Sequence, residues 1–418
     1  MTLEKIINGF RKVKNSLKTA VAVGAIGLAL ALPAKATEYE IIKLPAYSSL
    51  CHDSRYCAGN TYRDINNDGE LVGDTFDYAD YYYQKAFLYK NEEIILLNLE
   101  EDFDGAAVAI NDRGEILIKG YVGWLLDGRI CNEDYKSFIY KPGERIELDF
   151  LGEDMNNNGE VVGEHYLWAK GETIDLIKDF NDYPPDVPFC DEDCKLKWEA
   201  KAINDNNQVA GTLLIGEEYG DCYDFDTSNM AAFCWREGRL TFLERPTYMS
   251  NGKLKYYDTY ACDINNKNQI AGLMIRERDD HPILSRIWYA CMWDEDGNIT
   301  QLDTDYSLAR AINDKEEIIG VSSKSFEDYY PQYAVLYKNG ERIELDSCLP
   351  EEWSHLSMWD VAKINDNSQI IVWGHWYDGL YHGGTYLMTP ISADLDKDEI
   401  VNFEDFAIMA GQWLEEKE

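Results

Sequence analysis

The stretch Asp64-Ile65-Asn66-Asn67-Asp68-Gly69-Glu70-Leu71-Val72-Gly73 recurs, with small changes, seven times along the chain. The Asn that follows its first apolar residue stands at positions 66, 111, 156, 204, 265, 313 and 365, so neighbouring copies are 45 to 61 residues apart. Repeats of this length, about 50 residues, are typical of β-propellers.

Each copy predicts a strand, a tight turn and a second strand. Asn and Asp start such turns by bonding their own backbone two residues on. The fourth residue after the apolar one should have a positive φ, which Gly and Asn tolerate best. Five copies have Gly or Asn there: Gly69, Gly114, Gly159, Asn207 and Asn268. Glu316 and Ser368 replace them in copies six and seven, so we expect those two copies to turn differently.

Two further strands complete each repeat. A small residue, an aromatic, an apolar residue and Trp or Tyr form the third strand, as in Ala86-Phe87-Leu88-Tyr89, and a segment such as Ile146-Glu147-Leu148 forms the fourth. The seventh repeat lacks a fourth strand after residues 384–388, but Ile42-Lys43-Leu44 near the N-terminus matches it. Pairing of the two would leave no exposed sheet edge. The sequence therefore predicts an all-β, seven-bladed β-propeller closed by an N-terminal strand.

The combination of Ile-Asn-Asp-x-Gly-x-Val-Val-Gly with Ala-Phe-x-Trp resembles the bacterial extracellular HAF-repeat family. The resemblance covers residues 37–390 and implies a secreted propeller. It implies no catalytic residue, and a fold by itself says little about activity.

The first 36 residues are predicted to be a signal peptide. A basic stretch ends at Lys18, the run from 19 to 32 is small and apolar, and Ala34-Lys35-Ala36 fits a cleavage site. That run is shorter than the roughly 20 residues of a spanning helix, so no stable membrane insertion is expected after cleavage. We therefore expect a secreted, cell-surface or periplasmic protein. In such a compartment its ten cysteines are expected to form disulfides.

The formal net charge of −38 bears on partners. So acidic a surface repels phosphate backbones and acidic lipid headgroups, which makes nucleic acid an unfavourable partner. Divalent cations are the natural counter-ions.

Residues 391–418 are predicted to be a separate calcium-binding segment. Oxygen ligands occupy loop positions 1, 3, 5, 7, 9 and 12, the seventh being a backbone carbonyl: Asp394, Asp396, Asp398, Ile400, Asn402 and Asp405. An apolar stripe of helical spacing follows. The segment resembles one half of a dockerin, an EF-hand-type loop, which implies a cohesin-like or other surface partner. Glu399 replaces the glycine of the sharp turn, which should weaken calcium binding.

Three carboxylates, Asp64, Asp154 and Asp263, precede the apolar residue in copies one, three and five. If that strand is innermost, they lie near the axis at one level and could hold a cation or act as acid and base. The alternative, which we favour, is that they bond backbone or bridge adjacent blades. Sequence comparison of the copies indicates no Lys, Arg or His at matching positions.

Aromatic residues outside the shared repeat are the other candidates for ligand contact. They are Tyr81, Tyr82, Tyr83, Tyr256, Tyr257, Tyr329, Tyr330, Trp373 and Trp376. Rings on loops at a propeller face can stack on sugars, but they can equally pack beneath their own loops, and the sequence favours neither.

Two functions follow. The first and preferred one is a non-catalytic binding or scaffold propeller, with a polysaccharide or cell-surface glycan as ligand and a calcium-binding tail. The alternative is a polysaccharide-degrading glycoside hydrolase or lyase that its dockerin-like tail attaches to an extracellular assembly.

Overall fold

A computed structural model describes most of the repeat region. The described residues are 39–45, 60–77, 83–97, 99, 103–126, 129–141, 143–178, 180, 194–217, 230–277, 286–323, 333–378 and 380–391. The predicted signal peptide and the calcium-loop residues 394–405 lie outside them. Residues 41–389 form one unit.

The described strands form seven four-stranded antiparallel sheets, here called blades one to seven. The first strand of the described residues is β1 (Tyr39–Lys43). Blade one contains β2 (Asn60–Ile65), β3 (Leu71–Asp77), β4 (Tyr83–Lys90) and β5 (Glu93–Leu96). Blade two contains β6 (Phe103–Ile110), β7 (Ile116–Leu126), β8 (Arg129–Lys141) and β9 (Glu144–Leu148). Blade three contains β10 (Asp154–Met155), β11 (Val161–Gly163), β12 (Tyr166–Ala169) and β13 (Glu172–Asp175).

Blade four contains β14 (Cys194–Ile203), β15 (Val209–Glu217), β16 (Met230–Arg236) and β17 (Arg239–Phe242). A separate hairpin, β18 (Thr247–Ser250) and β19 (Lys253–Tyr256), follows and accounts for the longest repeat spacing. Blade five contains β20 (Asp258–Ile264), β21 (Ile270–Glu277), β22 (Arg286–Trp293) and β23 (Ile299–Gln301). Blade six contains β24 (Ser307–Ile312), β25 (Ile318–Ser322), β26 (Tyr333–Lys338) and β27 (Glu341–Glu344).

Blade seven closes the ring. Two 3-10 turns, Leu345–Cys348 and Glu351–Trp353, lead into β28 (Ser357–Ile364), β29 (Ile370–Tyr377) and β30 (Tyr381–Pro390). The sheet order β28-β29-β30-β1 makes the N-terminal strand its fourth member. The Leu44 N–H donates to the Thr385 carbonyl at 2.9 Å, so the predicted closure is confirmed.

All seven copies of the Asn motif make the same turn between the first and second strands of a blade. The fourth residue after the apolar one has φ between 60 and 77° in every blade. Glu316 (64°) and Ser368 (60°) follow this pattern, so the expectation that blades six and seven turn differently is wrong. Contacts between blades hold these two residues: Lys267 Nζ donates to Glu316 Oε1 at 2.7 Å, and Ser368 Oγ donates to Glu317 Oε2 at 2.5 Å.

A β-bulge interrupts the first strand of most blades just before the Asn turn. In blade one the bulged residue is Arg63, between Tyr62 and Asp64. The glycine that ends the motif allows the two strands to approach here. A Cβ on Gly73 would lie 1.9 Å from the Thr61 carbonyl oxygen, which explains the glycine at the end of the motif in blade one.

The core consists of apolar clusters between adjacent blades. The aromatic of the third strand is the largest contributor, because Phe87, Phe233 and Trp293 are almost completely buried. Full burial of such a side chain stabilises the fold by roughly 1.5–3 kcal/mol. Among the described residues, no helix is long and apolar enough to cross a bilayer.

Four cysteines with described side chains are unpaired: Cys234, Cys262, Cys291 and Cys348. The prediction of general disulfide formation is therefore wrong for these four. Cys291 and Cys348 are buried, where a thiol packs as a small apolar group, and Cys234 and Cys262 are half-buried. Burial raises the pKa of Cys234 to about 11, which disfavours the reactive thiolate. The side chains of the other six lie outside the described part of the chain.

Candidate functional site

The seven Asn side chains of the motif form a closed ring. Each amide nitrogen donates to the backbone carbonyl of the corresponding Asn in the next blade, at 2.8–3.2 Å. The last of these bonds, from Asn365 to Asn66, joins blade seven to blade one. Each amide oxygen accepts the N–H four residues on, as Asn66 does from Glu70 at 2.9 Å. The side chains are only 3–5% exposed, so the ring is a structural element.

The residues that directly follow the motif Asn in the seven turns form a second closed ring. Its backbone N–H donates to a side-chain oxygen of the same position in the next blade, at 2.7–2.9 Å. The residue types alternate around this ring until the seventh blade: Asn67, Asp112, Asn157, Asp205, Asn266, Asp314 and Asp366. Alternation lets each carboxylate accept an Asn amide from a neighbouring blade.

The residues that directly precede the apolar residue of the motif, such as Asp64 before Ile65, form a third ring of positions around the propeller axis. Asp64, Asp154 and Asp263 each accept the N–H of the apolar residue in the following blade, at 2.8, 2.9 and 3.0 Å. The interpretation that these carboxylates bond backbone and bridge adjacent blades is confirmed. In blade seven the matching position holds Lys363, whose Nζ donates to Asp263 Oδ1 at 3.0 Å. The expectation of no basic residue at this position is wrong.

Burial and charge set the protonation of this group. Burial raises the pKa of Asp64 to about 7, although Lys363 opposes the rise. Burial likewise raises the pKa of Asp154 to about 6. Burial disfavours the charged form of Lys363, but the three carboxylates outweigh this effect and raise its pKa above the ordinary value. The Lys363 ammonium thus lies among carboxyl groups of which two, Asp64 and Asp154, have pKa values close to neutral pH.

First-strand residues from all seven blades line a cavity of about 130 Å³ at the axis. This volume is well below the 300–1,000 Å³ of sites that enclose small organic ligands. Within the described part of the chain, no three His, Cys, Asp or Glu side chains are placed to hold a metal ion. The cavity therefore has room for water or a small ion and not for a sugar ring.

The first strand of blade seven has an irregularity at the end away from the Asn turn. We call this end of the blades the loop face, because it carries the connections between second and third strands. The opposite end, with the Asn turns, is the turn face. Strand β28 has a second bulge here: Met358 pairs with Gly374 and Asp360 pairs with Trp373, which leaves Trp359 unpaired in the ladder. The described first strands of the other blades show no second bulge.

This bulge displays an aromatic platform. Trp359 is 43% exposed, and its ring stacks on that of Trp373 with centroids 6.4 Å apart and planes at 27°. The neighbouring Asp360 forms an ion pair of 3.6 Å with Arg310 of blade six. Bulges commonly redirect side chains beside functional sites. An indole flanked by a carboxylate and a guanidinium can both stack on a ring and hydrogen-bond its substituents.

The aromatic residues predicted from the sequence to contact a ligand have different surroundings in the structure. Trp376 stacks on His382 at 4.0 Å and meets His355 edge-on at 5.1 Å, so it packs within blade seven. Tyr257 packs edge-on against Tyr248 at 5.0 Å. One predicted residue has a basic neighbour and lies on the separate hairpin: Tyr256, under Arg245 at 5.6 Å. The side chains of Tyr81, Tyr82, Tyr83, Tyr329 and Tyr330 lie outside the described residues, as do the six calcium-loop positions.

Three residues of the site were not predicted from the sequence: Lys363, Trp359 and Asp360. Lys363 would have been found by aligning Lys363-Ile364-Asn365 with Asp64-Ile65-Asn66. Trp359 has no equivalent in the other repeats, and only a register shift within β28 exposes it.

No protein-family model matches the chain, and no curated protein matches it. Several solved structures are similar to the chain at low sequence identity. The chain aligns over 78% of its length with 97% of the β-propeller domain of the Trilobed protease from Pyrococcus furiosus, at 8% identity and a TM-score of 0.43. Over 78% of its length it aligns with 52% of the acylaminoacyl peptidase from Pyrococcus horikoshii, at 12% identity and a TM-score of 0.40.

A third similar structure is an ulvan lyase of polysaccharide lyase family PL25 bound to -[GlcA(1-4)Rha3S]-. The chain aligns over 80% of its length with 78% of that enzyme, at 11% identity and a TM-score of 0.34. At this level of similarity the propeller assignment depends on the strand topology of the chain itself.

Proposed function

We propose that this protein is an exported, non-catalytic binding propeller that recognises a glycan on the loop face of blade seven. The observation that carries the proposal is the second bulge of β28, which exposes Trp359 over Trp373. A large apolar ring that a special backbone feature holds in solvent contributes little to folding. The stacked rings of Trp359 and Trp373 at this bulge offer a flat apolar face that a ligand ring can cover.

The surroundings of Trp359 suit a sugar. A pyranose presents an apolar face of C–H groups and a rim of hydroxyls, and an indole can cover the first while nearby polar groups bind the second. Asp360, the next residue along the strand, and Arg310, which pairs with it, offer an acceptor and donors for such hydroxyls. The Trp373 ring behind Trp359 restricts its rotation, so little conformational entropy is lost on binding.

The alternative of a polysaccharide-degrading enzyme has weaker support. Carboxyl groups with raised pKa are candidates for general acids and bases, and Asp64 and Asp154 have this property. Both, however, already accept a backbone N–H from the next blade. The cavity they line is also too small to admit a sugar ring.

Export and the tail complete the proposal. The resemblance to HAF repeats agrees with a secreted propeller, and residues 1–36 supply a signal peptide. Residues 394–405 bind one calcium ion, and the ordered segment docks a cohesin-like or other surface protein. Four aspartates at close range repel one another until a divalent ion neutralises them.

A glycan array probed with the full chain, followed by calorimetry on the best glycan, tests the binding function. Trp359→Ala should weaken binding at least tenfold, because the stacking surface is removed. Tyr135→Ala is the matched control, since Tyr135 is an exposed aromatic (55%) in blade two. Release of reducing ends or unsaturated products from the same glycan would replace the binding function with the enzymatic alternative.

Calcium calorimetry on the full chain tests the tail separately. Asp394→Ala should abolish the heat of binding and leave the thermal unfolding of the propeller unchanged. Glu399 at the turn position predicts weak affinity, with a Kd on the order of 10⁻⁴ M or higher. The tail proposal is wrong if millimolar calcium gives no heat or if Asp394→Ala leaves the heat unchanged.

A further inference from the structure

An odd number of blades prevents strict alternation in the second ring of the turn face. Asn and Asp alternate through its first six positions, and the seventh residue, Asp366, follows Asp314 of blade six. Six links of this ring join an Asn amide nitrogen to an Asp Oδ2 of an adjacent blade, at 2.9–3.2 Å. The remaining link, between blades six and seven, brings two carboxylates together.

The backbone holds both of these carboxylates in the ring position. Asp366 Oδ1 accepts the Asp314 N–H at 2.8 Å, and Asp314 Oδ1 accepts the Asn266 N–H at 2.7 Å. Their Oδ2 atoms accept the amide N–H groups of Asn67 and Asn266, at 3.0 and 2.9 Å. Since six links of a ring of seven atoms are nearly equal, its closure places the two Oδ2 atoms on the order of 3 Å apart, the length of a hydrogen bond.

The hydrogen bonds of this pair differ from those of the other two carboxylates in the ring. Asp112 Oδ2 and Asp205 Oδ2 each accept amide N–H groups from both neighbouring blades. Asp314 Oδ2 and Asp366 Oδ2 each accept from one described side chain only. Each therefore faces the other across a position that no described donor fills, and their negative charges repel one another.

The axial cavity also favours a cation. Asp314 and Asp366 line it together with five other Asp residues and one basic residue, Lys363, which is paired with Asp263. Asp64 lines the same cavity and is only 7% exposed, yet no described side chain donates to its Oδ1. Buried carboxylates need a proton, a paired cation or a metal ion. A volume of about 130 Å³ has room for an ion and several water molecules.

We propose that Asp314 and Asp366 bind a Mg²⁺ ion at the turn-face end of the axial cavity. Oxygens on the order of 3 Å apart fit neighbouring positions of an octahedral ion with ligand distances of about 2.0–2.1 Å. Mg²⁺ commonly binds through one or two carboxylates and keeps several of its water molecules. Among the described residues no third carboxylate or imidazole completes a metal cluster. Two protein ligands suit Mg²⁺ better than Ca²⁺, which takes six to eight oxygens.

The ion has the role that an Asn amide has at the other six links of the ring. It joins blade six to blade seven, the blade that the N-terminal strand completes. Divalent cations are also the natural counter-ions of a chain with a formal net charge of −38. The site lies on the turn face, so this inference does not depend on the glycan proposed for the loop face.

Thermal unfolding of the full chain carrying Asp394→Ala tests the proposal, because this substitution disables the proposed calcium loop. A site of two carboxylates should be weak, with a Kd on the order of 10⁻³ M, as in the weakest extracellular cation sites. MgCl₂ at about 20 mM should then raise the unfolding midpoint by about 3 °C relative to NaCl of equal ionic strength. Mn²⁺, which prefers the same oxygen ligands, should bind at about one ion per chain in an EPR titration and be displaced by Mg²⁺.

Asp366→Asn and Asp314→Asn, each added to the Asp394→Ala chain, locate the ion. Each substitution replaces one carboxylate by an amide that can donate to the other. Both variants should lose the Mg²⁺-dependent increase, and without Mg²⁺ they should unfold at or above the midpoint of the Asp394→Ala chain, because the repulsion is removed. Asp68→Asn is the matched control and should keep the increase, since Asp68 is an exposed residue of the Asn turn in blade one and does not line the cavity.

The outcomes decide the proposal without reference to glycan binding. A midpoint that Mg²⁺ raises no more than NaCl does overturns the Mg²⁺ site, and so does an increase that persists in both Asn variants. If a variant fails to fold, the Mn²⁺ titration of the Asp394→Ala chain decides. An EPR signal of free Mn²⁺ that the protein leaves undiminished at millimolar concentration also overturns the site.

Discussion

The turn face and the loop face of the axis use the same seven strands in different ways. On the turn face every blade contributes the same residue type, and its polar atoms bond the next blade, as the Asn ring illustrates. On the loop face the important residues occur once: Trp359 has no counterpart in the other repeats. Repeated positions hold the ring together, and single-copy positions distinguish this propeller from any other.

The two faces also differ in what a substitution should change. Removal of a repeated buried group leaves unsatisfied partners in two blades, so we expect large losses of stability. Removal of an exposed single-copy group should alter binding and leave the fold almost unchanged.

The largest effect is expected for Lys363→Met, because it leaves three axial carboxylates without their ammonium. A buried charge that loses its partner destabilises a protein by about 3–5 kcal/mol, and we expect this loss at pH 8. The loss should shrink toward pH 5, where Asp64 and Asp154 bind protons, since their pKa values are about 7 and about 6.

Equilibrium denaturation at the two pH values measures the effect of Lys363→Met. Lys315→Met, on an exposed lysine of the turn face, is the control and should change the free energy of unfolding by less than about 0.5 kcal/mol. An equal loss in both variants would remove the distinction between the axial lysine and a surface one.

A substitution in the Asn ring should have the next largest effect. In Asn156→Ala the Asn204 carbonyl loses its donor, and the N–H groups of Asn158 and Glu160 lose their acceptor. We expect a loss of about 2–3 kcal/mol, because buried groups remain unsatisfied. Asn158→Ala, on the exposed side of the same turn, should cost at most about 1 kcal/mol. Chemical denaturation of both variants tests whether the ring or the turn itself carries the stability.

The contrast explains how much the sequence could predict. Seven copies of one motif predict the blade count, the Asn turns and the closing strand. A residue that departs from the motif in one copy does not hide the pattern that the other copies share. Glu316 and Ser368 were mispredicted because contacts from neighbouring blades outweigh the intrinsic cost of a positive φ. Trp359 could not be predicted, since a bulge is a register shift in the ladder and leaves no compositional signal.

A third prediction concerns the pH dependence of the axial carboxylates. Burial raises the pKa of Asp64 to about 7 in the folded state. An acid whose pKa is raised by folding stabilises the fold below its unfolded pKa, and this contribution disappears as the pH rises through the folded pKa. Asp64 should therefore lower the stability of the propeller between pH 5 and 8, by about 2 kcal/mol.

Asp64→Asn isolates that contribution, because an amide oxygen can still accept the Ile110 N–H that Asp64 Oδ2 accepts at 2.8 Å. The variant should match the unaltered chain at pH 5 and exceed it in stability at pH 8. Parallel pH profiles for the two proteins would show that Asp64 is ionised throughout and that Lys363 fully compensates it.

The smallest effect on stability belongs to the loop face. Trp359 is 43% exposed and lies outside the hydrogen-bonded ladder, so Trp359→Ala loses the stack with Trp373 and no ladder hydrogen bond. We expect a loss of about 1 kcal/mol or less, the size of an aromatic pair. Glycan affinity should nevertheless fall at least tenfold. Asn156→Ala should show the reverse: reduced stability with unchanged glycan affinity at a temperature where it remains folded. If Trp359→Ala instead destabilises the protein as much as Asn156→Ala, then Trp359 is a structural residue of blade seven, and the division between the two faces is wrong.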